Sequence, residues 1–127
     1  MHAKKYAYSN LPTQEKVKYI ISWLIDKKAM DMVALDLSRE AGPTEAVIIV
    51  TANSARHGQG LADHILQSAR NDNFEYMNME GYIVGQWILL DLNDVVVHIF
   101  QPESRQFFRL DELWPSAGIL ADTRKEI

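Results

Sequence analysis

Between Trp87 and Phe100 apolar residues run on either side of a short polar turn, and no other stretch leaves the chain so little choice of fold. Side chains of a strand point alternately to opposite faces, and a two-residue turn joins antiparallel neighbours. Whether Asn93-Asp94 or Leu92-Asn93 makes the turn, Trp87, Leu89, Asp91, Val96, His98 and Phe100 fall on one face. Ile88, Leu90, Val95, Val97 and Ile99 fall on the other. That second face is wholly aliphatic, which predicts that it packs under helices. The first carries aromatic rings, a carboxylate and an imidazole, so part of it is open to a partner.

The remaining segments supply the cover. Val17, Ile20, Ile21 and Leu24 recur at helical spacing, with Pro12 and Thr13 as start signals and Lys27-Lys28 suited to the negative helix end, which predicts a helix over 13–28. Met32 to Leu37 and Ala46 to Thr51 are strand-like runs separated by the turn-forming residues 39–44. A second helix starts at Asn53 or Ser54 and buries Leu61, Ala62, Ile65, Leu66 and Ala69. Within it Gly58 and Gly60 cost about 1 kcal/mol each relative to alanine, which implies either close backbone packing or a frayed first turn. Phe74 to Glu80 reads as a weak extended segment, and residues 103–113 as a short helix. The implied architecture is α/β: one domain over 1–114 with its core at 13–114, built on a single mixed sheet of about five strands covered by helices. Residues 115–127, with proline, glycine and mixed charge, read as a loosely held tail.

Composition removes several kinds of function. A chain of 127 residues, 47% hydrophobic and 24% charged, has the balance of one domain with a real core. Without cysteine it has no disulfide framework and no thiolate chemistry. Thirteen basic against 17 acidic residues give a formal net charge of -4, which disfavours broad or sequence-specific nucleic-acid binding and suits a basic protein surface. The opening residues show no apolar leader, and no apolar run approaches the roughly 20 residues that span a bilayer, so the expectation is a cytoplasmic protein without membrane contact.

Candidate chemistry is sparse. His2 is terminal, and His57 and His64, seven apart, have backbones about 10 Å apart on a helix, too far to share a metal easily. His98 shares a face with Asp91 and Trp87, which allows either an acid-base pair or a structural hydrogen bond between strands. The structural role is the better supported, because no nucleophile elbow and no glycine-rich phosphate loop accompany it. Asp31, Asp36, Asp91 and Asp94 invite a magnesium site, but the Gly-Ser turn that nucleotide-transferring enzymes place ahead of paired aspartates is missing. The sequence therefore predicts no cofactor and no metal, with a metal- or nucleotide-dependent enzyme as the alternative. Trp87, Phe100, Phe107, Phe108 and Trp114 cluster late in the chain amid Arg105 and Arg109, residue types that dominate interface energies.

The run from Gln86 to Trp114, ending in Arg105, Phe108 and Leu110-Asp111-Glu112-Leu113-Trp114, resembles the ribosomal silencing factor family, also called Iojap-like proteins. The resemblance extends back through Glu80-Gly81, Leu61-Ala62-Asp63-His64, Ser54-Ala55-Arg56-His57 and Val47 to Thr51, as far as Lys27-Lys28-Ala29-Met30-Asp31. It implies a nucleotidyltransferase-like mixed sheet without the catalytic motif. It also implies a steric inhibitor, not an enzyme, which binds ribosomal protein fourteen of the large subunit and blocks joining of the small one when nutrients are scarce. In the family the partner is gripped by residues that match Trp87, Leu92 and Phe108 here, while Asp91, Asp94, His98 and Arg105 match positions expected to support them or line the rim. A homodimer through the same apolar patch stays open as the free state. Departures include Thr51-Ala52-Asn53 for a usual Thr-Gly, and Phe108 for a usual tyrosine, which drops a hydroxyl and keeps the ring.

Overall fold

The predicted hairpin forms the middle of a six-stranded sheet in the computed structural model, which describes residues 8–124. Its strands are β1 (Met30–Asp36), β2 (Ala46–Thr51), β3 (Asn78–Glu80), β4 (Trp87–Asp91), β5 (Val95–Phe100) and β6 (Gly118–Asp122), in the order β3-β4-β5-β2-β1-β6. β2 runs parallel to β5, with Ile48 opposite Val97, and all other pairs are antiparallel. A parallel pair needs a crossover. Here α2 (Ala55–Asn71) supplies it, and α1 (Thr13–Asp26) lies beside it.

Every residue of β2 is buried, as a β-branched central strand covered on both faces must be. Ile48 and Val50 join Ile88, Leu90, Val97 and Ile99 beneath Val17, Ile20 and Leu24 of α1 and Leu61 and Ile65 of α2. Ser54 caps α2, its Oγ accepting from the His57 N–H at 3.0 Å. Gly58 is buried, and a Cβ there would meet Ile88 Cδ1 at 3.5 Å and Ile99 Cγ2 at 3.6 Å, so close helix-to-sheet approach accounts for that glycine. Gly60 faces open space.

On the opposite face Val33, Leu35, Val47, Ile49 and Phe100 form a smaller core, roofed by Trp114 and Leu110. This roof belongs to α3 (Pro102–Phe108), a 3-10 turn at Leu110–Glu112 and the strand after them. The expected loose tail over 115–127 is corrected here: β6 pairs with β1, Leu35 opposite Ile119, and the Thr123 N–H donates to the Met32 carbonyl at 2.7 Å. An edge strand is held by its backbone, so its side chains need no alternating pattern. The sheet thus has six strands where about five were expected, and only 78–80 of the extended segment at 74–80 pair. Residues 1–7 and 125–127, including His2 and the end of the tail, lie outside the described residues.

Candidate functional site

Trp87 opens β4 opposite Phe100, and a turn at Asn93-Asp94 returns the chain so that Leu89 faces His98. Asn93 has φ 77, and Asp91 Oδ1 accepts from the Asn93 N–H at 2.9 Å, which closes the turn locally. Ring stacking builds the site at the far end of this hairpin. The Trp87 indole lies 4.7 Å from the Phe100 ring and 4.8 Å from that of Phe108, measured between centroids. Its Nε1–H donates to His98 Nδ1 at 3.0 Å. Phe100 is fully buried, whereas Phe108 is 51% and Phe107 79% exposed. The stack therefore begins in the core and ends in water.

Arg105 holds α3, and with it Phe107 and Phe108, against the sheet. Its guanidinium grips the Asp111 carboxylate through Nε at 3.2 Å and Nη2 at 2.7 Å, and Nη1 reaches Thr51 Oγ1 at 2.9 Å and the Asp31 carbonyl. Burial pushes the Asp111 carboxyl up, and the hydrogen bonds and charge of Arg105, with Arg124 beyond, outweigh this and hold it below its usual value. Arg109 ends α3 in the left-handed conformation, φ 52, and turns the chain toward the roof.

The expected partner-binding residues do not share one environment. Trp87 and Phe108 meet, as described. Leu92 sits at the other end of the hairpin, about 17 Å along the strand at 3.4 Å per residue, and is 3% exposed within the core under α1 and α2. A charged side chain at 92 would therefore disrupt the fold. Asp94 is a fold support, because its carboxylate pairs with the largely buried Lys16 at 2.8 Å and its carbonyl accepts from the Glu45 and Ala46 N–H groups. Asp91 is spent on the turn, and Arg105 on docking α3.

His98 does not pair with Asp91. It is 8% exposed, and burial pushes its imidazole from an ordinary 6.5 down to about 4, so it is neutral near pH 7. With Nδ1 accepting from Trp87, the proton resides on Nε2. An acid-base function would need an orienting carboxylate, and the indole holds that position. His57 ties two helices together, accepting from Asn53 N at 2.9 Å and donating from Nε2 to the Lys27 carbonyl at 2.7 Å, while His64 Nε2 lies 3.5 Å from Asp26 Oδ2. Among the described residues no three His, Asp or Glu side chains group so as to hold a metal, and no helix is long and apolar enough to cross a membrane. A cavity of about 670 Å³ lies by the carboxyl ends of β2 and β5, where Arg105, Arg109 and Arg124 meet Asp31, Asp111 and Glu112. Its charges balance, and its two arginines nearest Asp111 are already paired.

Ile83 and Val84, which no sequence pattern singled out, are 86% and 68% exposed on a loop between Gly81 and Gly85, both at positive φ. A Cβ at Gly81 would stand 2.0 Å from the Trp87 carbonyl oxygen, and one at Gly85 would stand 2.7 Å from Ala55 Cβ. Gln59 Nε2 donates to the Tyr82 carbonyl at 2.8 Å and Gln101 Nε2 to that of Gly85 at 3.1 Å, so this apolar tip is firmly held. An aliphatic pair bracketed by glycines was the available signal.

A family model described as "Ribosomal silencing factor during starvation" matches residues 10–127, which includes β6. A ribosomal silencing factor of Halalkalibacterium halodurans is 32% identical over 84% of this chain and 92% of its own length. That of Bacillus subtilis is 35% identical over 74% of this chain and 80% of its own length. Among solved structures, a Chromobacterium violaceum protein superposes with a TM-score of 0.80 at 30% identity, covering 83% of this chain and 88% of that one. The first two relatives are ribosomal silencing factors by name. The chain belongs to the ribosomal silencing factor family.

Proposed function

We propose that this protein represses translation by docking its aromatic hairpin face on the large ribosomal subunit and standing where the small subunit would join. The observation that carries the proposal is the stack running from buried Phe100 through Trp87 to half-exposed Phe108, continued by Phe107. A monomer gains nothing from holding phenyl rings in water, whereas aromatic anchors dominate interface energies. The family supplies the ribosome as target, and the formal charge of -4 suits a basic ribosomal protein. The resemblance names ribosomal protein fourteen as that partner, and the absence of an apolar leader or membrane-length run in the sequence suits action in the cytoplasm. In free solution the same rings offer a surface for a homodimer, which docking would compete away.

The Trp87 N–H is already used by His98, so Trp87 presents ring area to the partner, and Phe108 presents a ring without a hydroxyl. Loss of either anchor should weaken binding by about 2 kcal/mol or more, roughly thirtyfold. The test is co-sedimentation with separated small subunits, large subunits and joined ribosomes, alongside a light-scattering assay of subunit joining. Selective binding to free large subunits with slowed joining, both reduced in Phe108→Ala, is the expected result. Undiminished binding by a folded Phe108→Ala protein would rule out this face.

A further inference from the structure

Ring contacts give Trp87 area but little direction. Offset and tilted aromatic pairs tolerate sliding and rotation, while a hydrogen bond at 3.0 Å is steeply angle-dependent. Trp87 is half-buried at the rim of the sheet, and its ring planes lie 31° from Phe100 and 46° from Phe108, neither a close parallel stack. Among the described residues the one directional contact on the indole is the bond from Nε1–H to His98 Nδ1. His98 is itself fixed: its backbone is in the central ladder between Leu89 and Ile49, and its ring stacks on Phe100 at 16°. A buried acceptor held in the sheet thus faces a side chain that is only half-buried.

We propose that His98 is the positioning residue of the docking face: its Nδ1 holds the Trp87 indole in the orientation the partner meets and consumes the only hydrogen-bond donor that indole has. The proposal rests on the docking function above and deepens it. Two consequences follow from the chemistry. The partner contacting Trp87 must offer hydrocarbon or a cation to the ring face there, because a carbonyl or carboxylate would find no donor. And His98 must act as an acceptor, so its role needs a lone pair at Nδ1 and not the imidazole as such. An asparagine carbonyl oxygen occupies nearly the place of Nδ1, whereas phenylalanine keeps the ring and loses the acceptor.

The test compares Trp87→Ala, His98→Phe and His98→Asn with the native protein, each by melting temperature, by the indole N–H resonances in proton-nitrogen spectra, and by affinity for free large subunits. His98→Phe should fold, shift the Trp87 indole resonance toward that of a free indole, and lose about twofold to tenfold in affinity, the worth of one hydrogen bond. His98→Asn should restore both the resonance and most of the affinity. Native affinity in a His98→Phe protein whose indole has been released would overturn the proposal, as would equal losses in both His98 variants in step with their melting temperatures, the mark of a purely structural residue. Trp87→Ala separates the two levels: if it binds normally, the docking face itself is wrong and the positioning role falls with it; if it fails while His98→Phe binds normally, only the positioning role falls.

Discussion

The two faces of the β4-β5 hairpin are made by alternate residues of the same two strands, yet they do opposite things. Ile88, Leu90, Val97 and Ile99 vanish beneath two helices, with no polar side-chain atom among them. Trp87, His98 and Phe100, one residue out of step, build a stack that leaves the core and finishes at exposed Phe107 and Phe108. Since one register sets both, the closed face can be optimised for stability while the aromatic face is held in place, for the proposed partner, at little extra cost in order. Substitutions should therefore sort by face: stability on one, binding on the other.

The most severe break is expected at Leu92, which lies at the turn but belongs to the closed side. Leu92→Ala should lower unfolding free energy by about 2–5 kcal/mol in chemical denaturation, since it empties a buried site. If binding to large subunits persists wherever the variant is folded, Leu92 acts through the fold; a loss of binding with native stability would move it to the docking side.

Leu92 also shows where sequence pattern stops being informative. Alternation is a property of strands, and a residue at a turn is released from it, so the burial of Leu92 follows from the helices above and not from its neighbours. The hairpin itself was legible because period-two patterning and the Asn93-Asp94 turn agree. β6 was not, because an edge strand bonds through its backbone and Gly118 with Pro115 reads as a tail. The Arg105-Asp111 clamp spans only six residues, but its other bonds reach Thr51 and Asp31, which become neighbours only in the folded sheet. Of the proposed docking site, Trp87 and Phe108 were visible, while the bond joining Trp87 to His98 required the actual register.

A smaller and reversible perturbation of the aromatic face should come from pH. The folded-state value for His98, about 4, lies below the ordinary 6.5 because of burial. In that window the unfolded chain binds a proton that the folded chain refuses, so stability falls as pH drops from 6.5 to about 4 and the contribution levels off below it. At roughly 1.4 kcal/mol per unit this amounts to about 3 kcal/mol. Unfolding free energies measured across the window should slope for the native protein and lose that share of the slope in His98→Asn. Equal slopes would show that His98 titrates freely.

The smallest effect should be a gain on the closed side. Gly60 lies in α2, and a methyl group added there would have no neighbour within 4 Å, so Gly60→Ala should raise stability by about 0.5–1 kcal/mol in thermal melts without changing ribosome binding. A decrease would mean that the glycine serves a partner or a motion.

The contrast between faces is tested most directly by hydroxyl-radical footprinting of the protein alone and on free large subunits. Phe107 and Phe108 on α3 and Tyr19 on α1 are all exposed and oxidisable, and they report opposite sides of the sheet. Docking through the aromatic face predicts that the subunit protects Phe107 and Phe108 and leaves Tyr19 as reactive as before. Protection of Tyr19 with Phe107 and Phe108 still open would contradict it and place the ribosome on the helical side.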